Sequence, residues 1–305
     1  MCDSIQGLNN KIYYFNTITV FMSMTIGFLA ALVSVVGWGS YFVPMKKVKE
    51  YDPFFYQLLM CAVIFLSTAL FSFAINSFEF SYYGVMAGIS WSFGNILSVL
   101  SIRLSGLSKA APTWMGGVII GTFFIGAFLF SEPLSSLPLG LAGIVFLVSG
   151  VAVISSVLES KTSSKMEELK GISLALLAGL LYALPFALFK ISGFDSLDFV
   201  FPMSLGIFLG GFLIYLVKRS PFDRNILVPG TVSGALWNVA NLSNFFALSF
   251  LPVAIVVPLT QIALLVSVLW GVFYFHEISG RDKIRKLFFG AMVLFVGTIA
   301  LSLSL

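Results

Sequence analysis

The sequence predicts an all-α integral membrane protein of ten transmembrane helices, built as two five-helix repeats inserted with opposite orientation. Three observations carry that expectation. The 305-residue chain is 59% hydrophobic and only 10% charged, with a mean hydropathy of +1.02, which leaves too little polar surface for a water-soluble domain. Its lysines and arginines gather in every second connection between apolar stretches. A Trp-x3-Asn pair, WSFGN at 91–95, returns as WNVAN at 237–241, 146 positions later.

Taken in order, residues 1–20 read as a short N-terminal segment. MCDSIQGLNNKIYYF lacks the basic start and small-residue cleavage site of a signal peptide, so the first apolar stretch is expected to stay as helix one. The first repeat occupies 21–157, with windows at 21–44, 54–76, 82–102, 109–130 and 136–157. A charged cytoplasmic linker, 158–170, follows. The second repeat fills 171–303, with windows at 171–190, 197–217, 228–248, 251–275 and 284–303. Each window approaches the ~20 residues that carry a helix across ~30 Å of hydrocarbon.

Of the 17 basic residues, all but Lys11 and Lys190 fall on one side of this arrangement, in the groups 46–49, 103–109, 161–170, 218–224 and 281–286. By the positive-inside rule that side faces the cytoplasm, which places both termini outside, with the plasma membrane as the expected location. Short basic groups separated by membrane spans are orientation signals and argue against a nucleic-acid partner; the expected macromolecular surroundings are membrane lipids.

The tryptophan–asparagine pair belongs to a longer repeat. Pro112 and Pro258 share its offset of 146, Glu132 and Glu277 follow at 145, and Tyr41/Tyr182 and Pro44/Pro185 match at 141. Five spans per unit is an odd number, so the second unit enters the membrane the other way up, a construction common in secondary transporters that expose a midplane site to each side in turn.

Polar side chains inside the spans are the candidate binding groups. An i, i+4 spacing puts Trp91 near Asn95 and Trp237 near Asn241 on a helix face, and an amide turned to lipid would be poorly satisfied. Such faces are expected to point into the bundle, either as helix clamps or into a polar cavity. An indole plate beside an amide suits a sugar, which presents hydroxyls at its rim and C–H groups on its faces. The candidate substrate-binding residues are Trp38, Tyr41, Gln57, Trp91, Asn95, Trp114, Trp237, Asn241, Thr260 and Gln261. Asn238 and Asn244 flank Asn241. Pro44, Pro112, Pro185 and Pro258 are candidates for helix kinks or gates, with Pro44 and Pro185 also readable as helix-end markers.

Enzyme chemistry finds no support. His276 is the sole histidine, HEISG lacks the second histidine of a zinc-protease helix, and there is no phosphate-binding GxxxxGK[ST] loop. No metal site, catalytic set or cofactor is expected. The span centres hold no carboxylate, and Glu132 and Glu277 near helix ends read as structural; whether protons or sodium ions accompany a solute is left open.

Five stretches, GWGSYFVPMKK (37–47), YDPFFYQLLMC (51–61), GISWSFGNILSV (88–99), SGALWNVANLSNFFAL (233–248) and PLTQIALLVSVLWGVFYFHEISG (258–280), resemble the glucose/ribose porter family of the drug/metabolite transporter superfamily, which includes the glucose-uptake-like sugar transporters. The resemblance implies ten helices in inverted repeats and secondary transport of glucose, ribose or a related neutral carbohydrate. Other branches of the superfamily export amino acids, nucleobases and other small metabolites, and a non-transporting membrane scaffold is the third alternative. The halves are not chemically identical, since Trp114 and Met115 stand where the second half has Thr260 and Gln261.

Overall fold

A computed structural model describes residues 22–130, 136–157, 164–251, 253–260 and 262–304, which form helices joined by short connections. In chain order these are α1 (Met22–Lys46), α2 (Pro53–Ile75), α3 (Tyr82–Ser105), α4 (Leu107–Phe124) and α5 (Leu137–Ser155). The second half holds α6 (Lys165–Ser192), α7 (Val200–Lys218), α8 (Leu227–Leu248), α9 (Val253–Thr260), α10 (Ala263–Leu269) and α11 (Arg281–Ser302). The N-terminal segment 1–20, Glu132, Gln261 and linker residues 158–163 lie outside the described residues.

Local sequence explains where the helices begin and end. Asp52 accepts hydrogen bonds from the backbone N–H groups of Phe54 and Phe55 at 2.9 and 2.7 Å, with Pro53 at the first helical position. Ser164 and Glu167 form a reciprocal capping box at the start of α6. Asn76 and Gly193 close α2 and α6 in the left-handed conformation, at φ of 55° and 68°. Near the end of α1 the chain loosens into a turn at Tyr41–Phe42, where Pro44 can offer no N–H to the helical ladder.

Among the described helices, α1, α2, α3, α6, α7 and α11 are long and apolar enough to cross a membrane. Ten crossings were expected. The apolar stretches Pro138–Ile154 and Ala263–Tyr274 are shorter, and α4 and α8 fall outside the set of six because polar residues dilute them: Ser108, Lys109 and Thr113 in one, and Asn238, Asn241 and Asn244 in the other. Outward faces are greasy where lipid would lie; Leu66, Leu70 and Phe73 form an exposed stripe on α2 at helical spacing.

The most extensive contacts join the two halves to each other. α3 packs on α6 and α7, α4 on α6, α2 on α7 and α8, α5 on α11, and α10 on α4. Close approach depends on small residues. A Cβ on Gly88 would sit 2.0 Å from the Met203 carbonyl oxygen, and one on Gly206 equally close to that of Val85, so only glycines let α3 and α7 cross at this separation.

Two local features repeat between the halves. A π-turn spans Ile125–Leu129 after α4, and another spans Trp270–Tyr274 after α10, 145 positions later. Directly after each comes an aromatic ring beneath a lysine: Lys190 lies 4.4 Å from the Phe130 ring centre and Lys46 lies 5.0 Å from that of Phe275.

Candidate functional site

Helix α3 carries Trp91 to the centre of the bundle and α8 carries Trp237 there from the other half. The two indoles meet, their ring centres 4.2 Å apart and their planes inclined at 52°. Around them lies a cavity of about 130 Å³, room enough for several water molecules. Four of the five tryptophans, 38, 91, 114 and 237, line it. Tyr41, Tyr182, Pro185, Phe186, Phe189 and Phe245 add aromatic and apolar wall, while Asn241, Asn244 and Thr260 supply polar groups. None of the described lining residues is charged.

The two repeated asparagines have different surroundings. Asn95 is fully buried behind the cavity wall. Its amide nitrogen donates to Gln57 Oε1 at 2.6 Å, and its oxygen accepts from the Tyr182 hydroxyl at 3.3 Å, which ties α3 to α2 and α6. Gln57 donates in turn to the Ser92 carbonyl oxygen at 3.1 Å. Asn241 is 5% exposed, lines the cavity and forms no hydrogen bond with any described residue. Asn244, one turn on, is 4% exposed and equally unengaged. Asn238 behaves as a clamp, donating to Ser67 Oγ at 2.7 Å and accepting from Thr68 Oγ1 at 2.8 Å.

Spacing alone does not separate these cases. A step of four residues advances the chain ~6 Å along the axis and turns it ~40°, so the asparagine after each tryptophan lies a turn away with its surroundings set by the neighbouring helices. Next to Asn95, α2 supplies Gln57. Helix α7 has no comparable side chain, since its polar residues are Ser204, Tyr215 and Lys218, and Ser204 bonds back to its own helix at the Phe201 carbonyl.

The structure therefore brings together Trp38, Tyr41, Trp91, Trp114, Trp237, Asn241 and Thr260, and places Gln57 and Asn95 in a hydrogen-bonded cluster outside the cavity. Pro185 lies within α6 and lines the cavity, so it does not mark a helix end. Pro112 lies inside α4, whereas Pro44 accompanies the break in α1. Pro258 falls in α9, two residues before that helix stops. Tyr182, Asn244, Phe186, Phe189 and Phe245 also line the cavity and are not among the sequence candidates. Tyr182 was within reach as the repeat partner of Tyr41, and Asn244 as the residue one turn beyond Asn241.

A second cavity, of about 590 Å³, lies at the basic end, with Lys46, Lys49, Arg103, Lys109, His276, Glu277 and Lys283 in its walls. Glu277 is its organising group. It pairs with Lys46 and accepts from the backbone N–H groups of Leu107 and Ser108, both at 2.8 Å, at the start of α4. Gly271 makes room for that carboxylate, since a Cβ there would lie 2.7 Å from its Oε2. Lys109, one of the basic residues of the 103–109 group, is buried and paired with Glu168. Tyr51 in the α1–α2 connection has its phenol pushed above the usual tyrosine range by burial, with Arg103, 5.5 Å from its ring, opposing. Phe42 is in ring contact with Tyr41 and Trp114, both of which line the central cavity.

Comparison with known proteins places this architecture among relatives. The chain is 26% identical over 290 residues to the glucose uptake protein GlcU of Bacillus subtilis, covering 90% of this chain and 98% of that protein. It is 25% identical over 286 residues to a putative sugar uptake protein of Listeria monocytogenes, and 25% identical over 282 residues to a probable glucose uptake protein of Staphylococcus aureus, with the same coverage. One solved crystal structure shares the fold with a TM-score of 0.57 at 13% identity, over 90% of this chain and 95% of that one. These matches and the apolar helices make the protein a multi-pass membrane protein of a transport family that is not an enzyme family. With the model of the sugar transport protein family matching residues 13–304, nearly its whole length, the chain belongs to that family.

Proposed function

We propose that the protein carries a neutral sugar, glucose or ribose or a close relative, across the plasma membrane by alternating access and without ATP. One observation carries the reading: the described lining of the central cavity is aromatic and uncharged, and it is furnished with amides that have no partner among the described residues. Indole faces match the C–H faces of a pyranose, and an amide both donates to and accepts from hydroxyls. The names of the bacterial relatives point to the same substrate class.

An amino acid would arrive as a zwitterion, and the cavity offers no charged side chain to either end of it. A scaffold would satisfy both repeated asparagines in dry contacts; that describes Asn95 and does not describe Asn241.

For the mechanism, the reading is ten crossings in two inverted five-helix units, with termini outside. In its favour are the matched π-turns, the matched lysine–aromatic contacts, and a pair of equivalent close approaches: Gly37 against Ala240, and Gly94 against the Ala178 carbonyl. In this conformation the Lys46–Glu277 pair links α1 to the segment after α10 at the basic end. Uptake of labelled glucose and ribose into proteoliposomes tests the reading, with saturable flux of at least one sugar expected. Absence of flux for every sugar tried would reject the substrate class. Imposed proton and sodium gradients report on coupling, an unchanged rate under both identifying a uniporter.

A further inference from the structure

We infer that Asn241 and Asn244 act as a pair that reads two hydroxyl groups of the sugar and so decides which sugars pass. The inference rests on the sugar reading above and goes beyond it by assigning selectivity to two named side chains.

Three facts about α8 lead there. Its asparagines at 238, 241 and 244 recur every three residues, each step turning the side chain by ~60°, so one helix presents three amides in a fan. The first is used up, both ends of its amide bonded to Ser67 and Thr68 on α2. The other two are buried in the cavity wall without a partner among the described residues. Buried amides are otherwise hydrogen-bonded, and leaving one unsatisfied costs about 1–3 kcal/mol. Two at adjacent positions mark a surface made for something that enters and leaves.

The chemistry of the amide narrows what enters. Each side chain offers two N–H donors and a carbonyl acceptor. An ammonium could use only the oxygen and a carboxylate only the nitrogen, whereas a hydroxyl uses both. Residues three apart on a helix face carry Cβ atoms ~5–6 Å from each other, close enough for both to serve one ring. The touching indoles of Trp91 and Trp237 supply the apolar surface for the ring's C–H face. Tyr182 is excluded from the reading set, because its hydroxyl is already shared between Asn95 and Ser98.

Selectivity follows from the penalty for a missing partner. A sugar lacking one of the two hydroxyls strands an amide that has also lost its water, and it should compete less well by about tenfold to a hundredfold.

The test is competition against labelled D-glucose uptake, or D-ribose where that is the better substrate, by the set of monodeoxy and monofluorodeoxy analogues. It is run on wild-type proteoliposomes and on Asn241→Ala and Asn244→Ala. In the wild type, two positions of the sugar should carry the penalty, with fluorine failing to rescue because it cannot donate. In Asn244→Ala the penalty at one of them should fall to about twofold or less while the other persists, and Asn241→Ala should show the converse. Asn→Ser variants carry the same comparison should an alanine variant not fold. A deoxy profile identical in wild type and variants, with sugar uptake intact, overturns the inference and leaves sugar transport standing. Failure of folded wild type to take up any sugar overturns both.

Discussion

Asn95 and Asn241 occupy the same place in the two halves of the chain, four residues after a tryptophan, yet one is a structural bolt and the other a free hand. Asn95 has Gln57 and Tyr182 as partners and seals three helices together. Asn241 faces a cavity with no partner among the described residues. The Trp-x3-Asn motif occurs twice in the chain. The side chains around each copy decide whether its polar group is spent on stability or kept for a ligand.

That contrast can be broken or sharpened by substitution. The largest effect is expected at Glu277, which lies in the second half but is fully engaged, so membership of that half does not by itself leave a polar group open. Glu277→Ala strands Lys46 and two helix-terminal N–H groups, and thermal unfolding in detergent should show a loss of about 3–5 kcal/mol. A stability change below about 1 kcal/mol would mean that this end of the bundle is wet and that its ion pair holds little.

Next in size is a reciprocal pair. Asn95→Ala should lower stability by about 1–3 kcal/mol, because Gln57 loses the partner of its carbonyl, while sugar KM measured on the folded fraction stays near wild type. Asn241→Ala should leave stability within about 1 kcal/mol of wild type and reduce sugar uptake by about tenfold or more. Exchanged phenotypes would overturn the assignment of roles.

Third comes the coupling itself. In a double-mutant cycle of Gln57→Leu and Asn95→Ala, the interaction energy should reach about 1–2 kcal/mol, whereas pairing Gln57→Leu with Asn241→Ala should give additivity within about 0.5 kcal/mol. The smallest effect is expected for Trp38→Phe. Its indole N–H is buried without a partner among the described residues, so its removal relieves a desolvation cost that offsets the lost ring volume, and stability should stay within about 1 kcal/mol of wild type.

Much of the cavity wall was legible in advance because tryptophan and asparagine are conspicuous in an apolar chain. The repeat offset also singled out the pair of indoles that meet at the centre. The sequence does not show that Gln57 lies outside the cavity: a buried glutamine reads the same whether its amide meets a ligand or another side chain, and its partner lies 38 positions away. The aromatic wall from Phe186 to Phe245 could not be picked from among 33 phenylalanines, since lipid, packing and cavity surfaces all favour that residue. Helix α4 shows the converse problem. Lys109 near its start counts in the sequence only as part of a basic orientation group, and the approach of α6 brings Glu168 to bury and neutralise it.

Composition and order of the residues were enough to determine that this chain lives in a membrane, that its helices alternate with short connections, which end of the bundle is basic, and that a unit recurs. Those properties follow from solvent transfer and from periodicity, which act on each segment by itself. Tertiary structure alone decided which polar groups stay open, because a side chain's satisfaction depends on what a distant helix sets beside it. Gln57 on α2 closes one amide, and the lack of any counterpart on α7 leaves the other available.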